Sequence, residues 1–160
     1  MKTNGFTLIE ALFAILLVGL AIASLLGANT AFTWTNAAGT DLTTAEFLLE
    51  QIKELTTTLP VIDPQTGTAT FGLEPEETGL AAYDDLDDFD GASFSPPISA
   101  DKATLSDFTT FTQQVTVENV SSSNFALAAA PHSSSFVRVT VKVLKNSKEI
   151  SSASWIRAQY

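Results

Sequence analysis

The sequence predicts an α+β fold in which a long N-terminal helix packs on a small C-terminal antiparallel sheet. Residues 6–26 form an apolar run whose only charged residue is Glu10. Residues 42–59 repeat apolar side chains every three to four positions, which is typical of a helix with one buried face. Residues 109–160 contain alternating stretches separated by turn residues, which indicates antiparallel strands that follow the helix.

Composition restricts the classes of function. The 160 residues fit one membrane helix and one small domain. There is no Cys, so disulfides do not stabilise the domain, and the net charge of −10 argues against a nucleic-acid-binding surface. A single His without Cys neighbours makes no transition-metal site, and we expect His132 to lie on a loop surface.

The apolar run is long enough to cross a bilayer, since about 20 helical residues at 1.5 Å each span the hydrocarbon core. A carboxylate inside such a run is costly unless a cation compensates it, so Glu10 is a functional candidate. Alternatively, Glu10 lies near the interface and reaches water. A secretory signal peptide cleaved near Ala21-Ile22-Ala23 is a further alternative.

The segment Gly5-Phe6-Thr7-Leu8-Ile9-Glu10 resembles the processing site of type IV pilins and of type II secretion pseudopilins. The resemblance is specific but confined to the N-terminal part of the chain. It implies that prepilin peptidase cleaves between Gly5 and Phe6 and methylates the new amine of Phe6. It also implies that Glu10 acts in assembly, by pairing with the Phe6 amine of a neighbouring subunit.

The resemblance also implies an organisation and a location. Residues 1–5 are a leader, 6–28 a transmembrane and assembly helix, and 29–160 a pilin-like globular domain with a helix over 29–59. Lys2 keeps the leader cytoplasmic, so we expect a single-pass inner-membrane protein with a periplasmic or exterior domain. It later joins a periplasmic or extracellular filament. The implied partners are prepilin peptidase, other pilin or pseudopilin subunits, the inner-membrane assembly platform and membrane lipid, with no direct nucleic-acid partner.

The globular part divides into three segments. The helix ends at Pro60. Its buried stripe is predicted to contain Leu42, Ala45, Leu49, Ile52 and Leu55, with Leu48 and Leu59 at its edges. At Gly27 the helix either loosens locally or stays straight. Residues 60–108 form an acidic connecting loop. The predicted sheet has strands at 111–117, 136–143 and 149–160, and a loop over 121–135. In the last strand, Ile150, Ile156 and Tyr160 are expected to face opposite to Trp155.

The connecting loop contains a dense acidic stretch, formed by Asp84, Asp85, Asp87, Asp88 and Asp90. These carboxylates repel one another unless a cation or a basic partner neutralises them, and Ca²⁺ prefers such oxygen ligands. The spacing does not fit an EF-hand. A Ca²⁺ site, a docking surface for another subunit, and a solvated loop held by Tyr83, Leu86, Phe89 and Phe94 therefore all stay open.

The motif favours a structural, minor subunit of a type IV pilus-like filament or a type II secretion pseudopilus. Three features favour a minor subunit over the major one: the missing Cys pair, Gly27 where many major pilins have Pro, and the acidic loop. The alternative is a membrane-tethered periplasmic binding domain that uses the acidic loop for Ca²⁺ or a partner. We expect no enzyme, because the sequence shows no Gly-rich phosphate loop, Cys nucleophile or acid–base constellation.

Overall fold

A computed structural model describes residues 5–159 and divides the chain into two compact units, Met1–Thr40 and Asp41–Tyr160. The predicted leader, apart from Gly5, and the predicted position of Tyr160 lie outside the described residues. The elements are α1 (Leu8–Thr58), β1 (Ser93–Phe94), β2 (Phe111–Ser121), β3 (Asn124–Ala128), β4 (Phe136–Lys145) and β5 (Lys148–Ala158). Short 3₁₀ helices cover Asp87–Phe89 and Ser106–Phe108.

The described part of the first unit is almost entirely helical, and its apolar side chains are exposed. α1 continues without a break through Gly27, so the helix does not loosen there. Hydroxyl side chains bond to backbone carbonyls four residues earlier, as Ser24 does to Leu20 at 2.8 Å. Such bonds leave few polar groups unpaired on an apolar helix surface. By length and composition, this helix could cross a membrane.

The second unit contains an antiparallel sheet of five strands in the order β1-β2-β4-β5, with β3 paired to β2. The predicted α+β layout, a long N-terminal helix with an antiparallel sheet, is therefore confirmed. The prediction of a continuous loop over 121–135 is wrong, because β3 lies within it. The sequence does not predict β3, because all its residues are exposed and the strand therefore lacks the alternation of buried and exposed side chains.

The core lies between the C-terminal part of α1 and one face of the sheet. The predicted strand faces are confirmed: Val137, Val139, Val141 and Val143 are buried, as are Phe111, Val115 and Val117. The helix buries Ala45, Leu48, Leu49, Ile52 and Leu55. Leu42 was predicted in this stripe but is 43% exposed, because burial on the helix begins only at Ala45.

The predicted facing of the last strand is wrong at Ile150. The β4–β5 register pairs Val143 with Ser151 but Leu144 with Glu149, so Ile150 is an extra residue at a bulge. A bulge reverses the alternation that follows from simple strand periodicity. Ile150 therefore packs against the core together with Ala153 and Trp155, whereas Ile156 is 37% exposed.

The connecting segment of residues 60–108 is anchored to the core by buried side chains. Leu86 and Phe89 are fully buried, and Tyr83 and Phe94 pack against them. Gln113 on β2 links three parts of the unit: its Nε2 donates to Leu48 O at 2.7 Å and Ile98 O at 3.1 Å, and its Oε1 accepts from Ile98 N at 2.8 Å. The segment is consequently fixed to both helix and sheet, and its acidic residues occupy defined positions.

Candidate functional site

The N-terminal motif opens α1 with a capping box. The backbone N–H and the hydroxyl of Thr7 donate to Glu10 Oε2 at 2.8 and 2.7 Å, and the Glu10 N–H donates to Thr7 Oγ1 at 3.3 Å. This reciprocal pair satisfies donors that a helix N-terminus otherwise leaves unpaired. The Thr-x-x-Glu spacing of Thr7 and Glu10 is the sequence signal from which this capping box can be predicted.

Gly5 and Phe6 precede the first residue of α1, and both are exposed, Phe6 to 86%. A Cβ at Gly5 would meet no atom within 4 Å. The backbone at Gly5 and Phe6 is therefore open to another protein. The carboxylate of Glu10 caps its own helix. Because Glu10 is also exposed, the same carboxylate is accessible to another molecule.

The acidic connecting segment gathers carboxylates from residues well separated in sequence. Asp63, Glu74 and Glu77 each offer an oxygen within 4.8 Å of the other two, and so do Glu77, Asp84 and Asp88. Glu77 belongs to both groups. We call these five residues the carboxylate cluster. Of the five predicted metal residues, only Asp84 and Asp88 belong to it.

Three carboxylates of the cluster share one pattern: one oxygen is held by a hydrogen bond, and the other is buried without a partner. Glu74 Oε1 accepts from Thr66 Oγ1 at 3.0 Å, and Asp84 Oδ2 accepts from Gln65 Nε2 at 3.1 Å. Asp88 Oδ2 accepts from the N–H groups of Asp84 and Asp85 at 2.8 and 3.1 Å. The second oxygens, Glu74 Oε2, Asp84 Oδ1 and Asp88 Oδ1, have no partner among the fixed donors, and protonated Glu77 hydrogen-bonds to the carboxyl groups of Asp88 and Glu74.

Burial and mutual repulsion change the protonation of this region. Burial raises the pKa of Glu77 to about 7, and hydrogen bonds to Asp88 and Glu74 contribute. Burial and the charges of Asp88 and Glu77 also raise the pKa of Tyr83. In contrast, the N–H of Thr66 donates to Asp63 and lowers the pKa of that carboxyl. Within residues 5–159, no Lys or Arg forms an ion pair with a cluster residue.

The other predicted metal residues have separate contacts. Asp85 Oδ1 accepts from the N–H groups of Asp87 and Asp88 at 2.9 and 3.2 Å and so shapes the turn. Asp87 Oδ2 accepts from Gly72 N at 3.0 Å. Asp90 Oδ1 accepts from Val117 N at 2.8 Å, which ties the segment to β2. These three carboxylates hold the loop in place, and Asp87 Oδ1, like Asp84 Oδ1 and Asp88 Oδ1, is buried without a hydrogen-bond partner.

His132 lies in a loop, as expected, but its side chain is not on the surface. Its side chain is only 13% exposed, and its Nε2 lies 2.7 Å from Thr70 O and 3.8 Å from Asp87 Oδ2. Its ring also packs edge-on against Phe71. His132 therefore connects the loop before β4 to the acidic segment, a contact that nothing in its local sequence indicates.

Comparisons with protein-family models, with curated proteins and with solved structures found no match. The arguments for function consequently rest on the N-terminal motif, the helix that it opens and the carboxylate cluster.

Proposed function

We propose that this chain is a structural, minor subunit of a type IV pilus-like filament or of a type II secretion pseudopilus. The observation that supports the proposal most is the motif Gly5-Phe6-Thr7-Leu8-Ile9-Glu10 directly at the start of an exposed apolar helix. In the proposed sequence of events, prepilin peptidase cleaves between Gly5 and Phe6 and methylates the Phe6 amine. The subunit stays in the inner membrane until it is assembled into the filament through contacts of its helix.

Physical chemistry supports a passage from lipid to filament. Leu12, Phe13, Leu16 and other side chains of this helix are more than half exposed, and they would face either lipid or neighbouring helices. Glu10 would be costly in lipid without a cation, and the methylated amine of a neighbouring subunit supplies one. The periplasmic or exterior location of the Asp41–Tyr160 unit is part of the same proposal.

The test is the N-terminal peptide of the membrane-extracted protein, measured by mass spectrometry with and without co-expressed prepilin peptidase. We expect a peptide that begins at Phe6 and has one added methyl group, only when the peptidase is present. Gly5→Val should block the cleavage without disturbing the fold, since space at Gly5 is open. Gly27→Ala, also at an open position, is the matched control and should be cleaved.

An uncut chain in the presence of active peptidase would contradict the proposal. A cut near Ala23 would instead identify a secretory signal peptide. Equal cleavage of Gly5→Val and Gly27→Ala would show that the peptidase does not recognise this motif.

A further inference from the structure

We propose that Phe32 and Trp34 anchor α1 in the headgroup layer of a bilayer, on the side opposite to Glu10. Both residues lie beyond the apolar run of residues 6–26 and beyond residue 28, where the membrane helix is expected to end. The proposal rests on one part of the function proposed above, namely that this helix enters a bilayer, and on neither processing nor assembly. It adds a second group of lipid-contacting residues and a fixed depth for the helix.

The exposure of Phe32 and Trp34 is the first observation that points to lipid. Their side chains are 71% and 76% exposed, as much as those of the apolar run before them. Residues 11–40 contain no Asp, Glu, Lys or Arg, yet half of residues 29–40 are Asn or Thr. Uncharged polar residues with an exposed Trp are typical of the membrane–water interface, where the indole ring contacts apolar groups and its N–H contacts water.

Distances along the helix match these residues to the two faces of a bilayer. Glu10 and Trp34 lie about 36 Å apart along the unbroken helix, at about 1.5 Å per residue. The hydrocarbon core is about 30 Å thick, and the headgroups bring the total to about 40–45 Å. With Glu10 at one edge of the hydrocarbon, Phe32 and Trp34 lie about 3 and 6 Å beyond the other edge, within the headgroup layer.

A different depth would result if the apolar run alone determined the position of the helix. Leu16, at the middle of that run, would then lie at the midplane of the bilayer. Trp34 would lie about 27 Å from the midplane, in water, and Glu10 about 9 Å from it, inside the hydrocarbon. This depth leaves two large aromatic rings in water and a carboxylate in lipid, and both are unfavourable.

The hydroxyl side chains near Phe32 do not oppose the deeper position. Thr30 Oγ1 donates to Leu26 O at 3.0 Å. Thr35 Oγ1 donates to Ala31 O at 2.9 Å. A hydroxyl that is paired within its own helix costs less at the edge of the hydrocarbon than an unpaired one. This part of the helix therefore tolerates contact with lipid.

The positions around the helix favour lipid over a single protein partner. Phe32 and Trp34 are separated by about 200° around the axis, at about 3.6 residues per turn, so they point to opposite sides. A protein docked along one side of the helix would cover only one of the two rings. A headgroup layer surrounds the helix and contacts both.

The anchor also selects one of the two positions that the sequence leaves open for Glu10. At the edge of the hydrocarbon, its carboxylate reaches headgroups and water. The compensation by a neighbouring amine is then needed only where helices pack against one another and exclude water from this carboxylate.

The experiment measures the depth of Trp34 in phosphatidylcholine nanodiscs that hold one full chain each. The sequence has two Trp residues, so Trp155→Phe leaves Trp34 as the only one. Lipids brominated near the headgroup end of the acyl chain should quench its fluorescence at least about twofold more than lipids brominated near the methyl end. Leu20→Trp, combined with Trp34→Phe and Trp155→Phe, is the control near the midplane and should show the opposite order.

The outcomes separate the anchor from the insertion of the helix. Equal quenching of Trp34 by both lipids, stronger quenching from the methyl end, or no quenching would overturn the anchor. If Leu20→Trp is quenched as expected in that case, the helix enters the bilayer and only the anchor is wrong. If neither Trp is quenched, the membrane part of the proposed function fails as well.

Two further results complete the decision. Blue-shifted emission of Trp34 without quenching by either lipid would identify a contact with protein and overturn the anchor. Should Trp155→Phe fail to fold, the difference in fluorescence between the unchanged protein and Trp34→Phe gives the quenching of Trp34 instead.

Discussion

The N-terminal motif and the carboxylate cluster both hold acidic side chains by hydrogen bonds or close contacts, but between residues at different distances in sequence. Glu10 is satisfied by Thr7, three residues away on the same helix turn. The cluster assembles side chains from Asp63 to Asp88, which only the folded loop brings within reach of one another. The first arrangement is local and the second depends on tertiary structure.

This difference explains which roles the two regions can have. The capping box forms as soon as the helix starts, so Glu10 is positioned before any contact with another subunit. The cluster exists only when the segment of residues 60–92 is packed on the core through Leu86 and Phe89. A local motif is suited to recognition by a processing enzyme, whereas a tertiary cluster can report or stabilise the folded state.

The largest expected effect tests whether the Glu10 charge acts beyond its own helix. Glu10→Gln preserves the capping box, because Gln can replace Glu in it, but it removes the charge. If the charge pairs with the Phe6 amine of a neighbour, incorporation into filaments should fall more than about tenfold, which corresponds to roughly 1.4 kcal/mol or more per contact. The measurement is quantitative immunoblotting of sheared filaments against the total membrane pool.

Thr7→Ala is the matched control, since it removes the cap but keeps the charge. It should cost the helix about 1 kcal/mol yet leave incorporation near normal. If Thr7→Ala assembles poorly while Glu10→Gln assembles well, Glu10 acts only as a cap of its own helix. Both regions would then have a purely structural role.

The next effect tests whether the acidic segment depends on long-range contacts. Gln113 is fully buried and bonds to Leu48 and Ile98, which lie 65 and 15 residues away. Gln113→Ala leaves those backbone groups unpaired in the core and should destabilise the domain by about 3 kcal/mol. Chemical denaturation in detergent measures it. Gln114→Ala, at the exposed neighbouring position, should change stability by less than about 0.5 kcal/mol.

If the stability of Gln113→Ala equals that of the unchanged protein, the acidic segment is held by its buried apolar side chains alone. In that case the cluster would still depend on tertiary packing, through Leu86 and Phe89, but not on the hydrogen bonds of Gln113.

The same distinction explains how much the sequence could predict. The long helix, the valine face of β4 and the antiparallel sheet follow from periodicity, which is a local property. The bulge at Ile150 and the exposed strand β3 do not, because a bulge changes facing and an exposed strand lacks alternation. Of the cluster, Asp84 and Asp88 were predicted from charge density. Asp63, Glu74 and Glu77 were missed, because their proximity arises only from the folded loop.

The smallest expected effect is a change in the pH dependence of stability. It distinguishes protonation of the cluster from cation binding. The pKa of Glu77 is about 7 in the folded chain against 4.5 as its ordinary value, chiefly because the group is partly removed from water. Between these values the folded state holds a proton that the unfolded state has released, so this group makes stability fall as pH rises from about 5 to 7. Glu77→Gln imitates the protonated form and should remove that part of the pH dependence.

Denaturation of the metal-free chain across this pH range, with Glu76→Gln as the exposed neighbouring control, measures the difference. An identical pH profile for Glu77→Gln and the unchanged protein would show that Glu77 does not titrate there. If the acidic loop is the Ca²⁺ site that the sequence leaves open, Ca²⁺ must displace the Glu77 proton, and stabilisation by Ca²⁺ should grow over the interval in which metal-free stability declines. A stability that falls with pH without Ca²⁺ but stays flat over the same interval at saturating Ca²⁺ would show that proton and cation compete for one group of oxygens, which an acidic loop exposed to solvent would not produce.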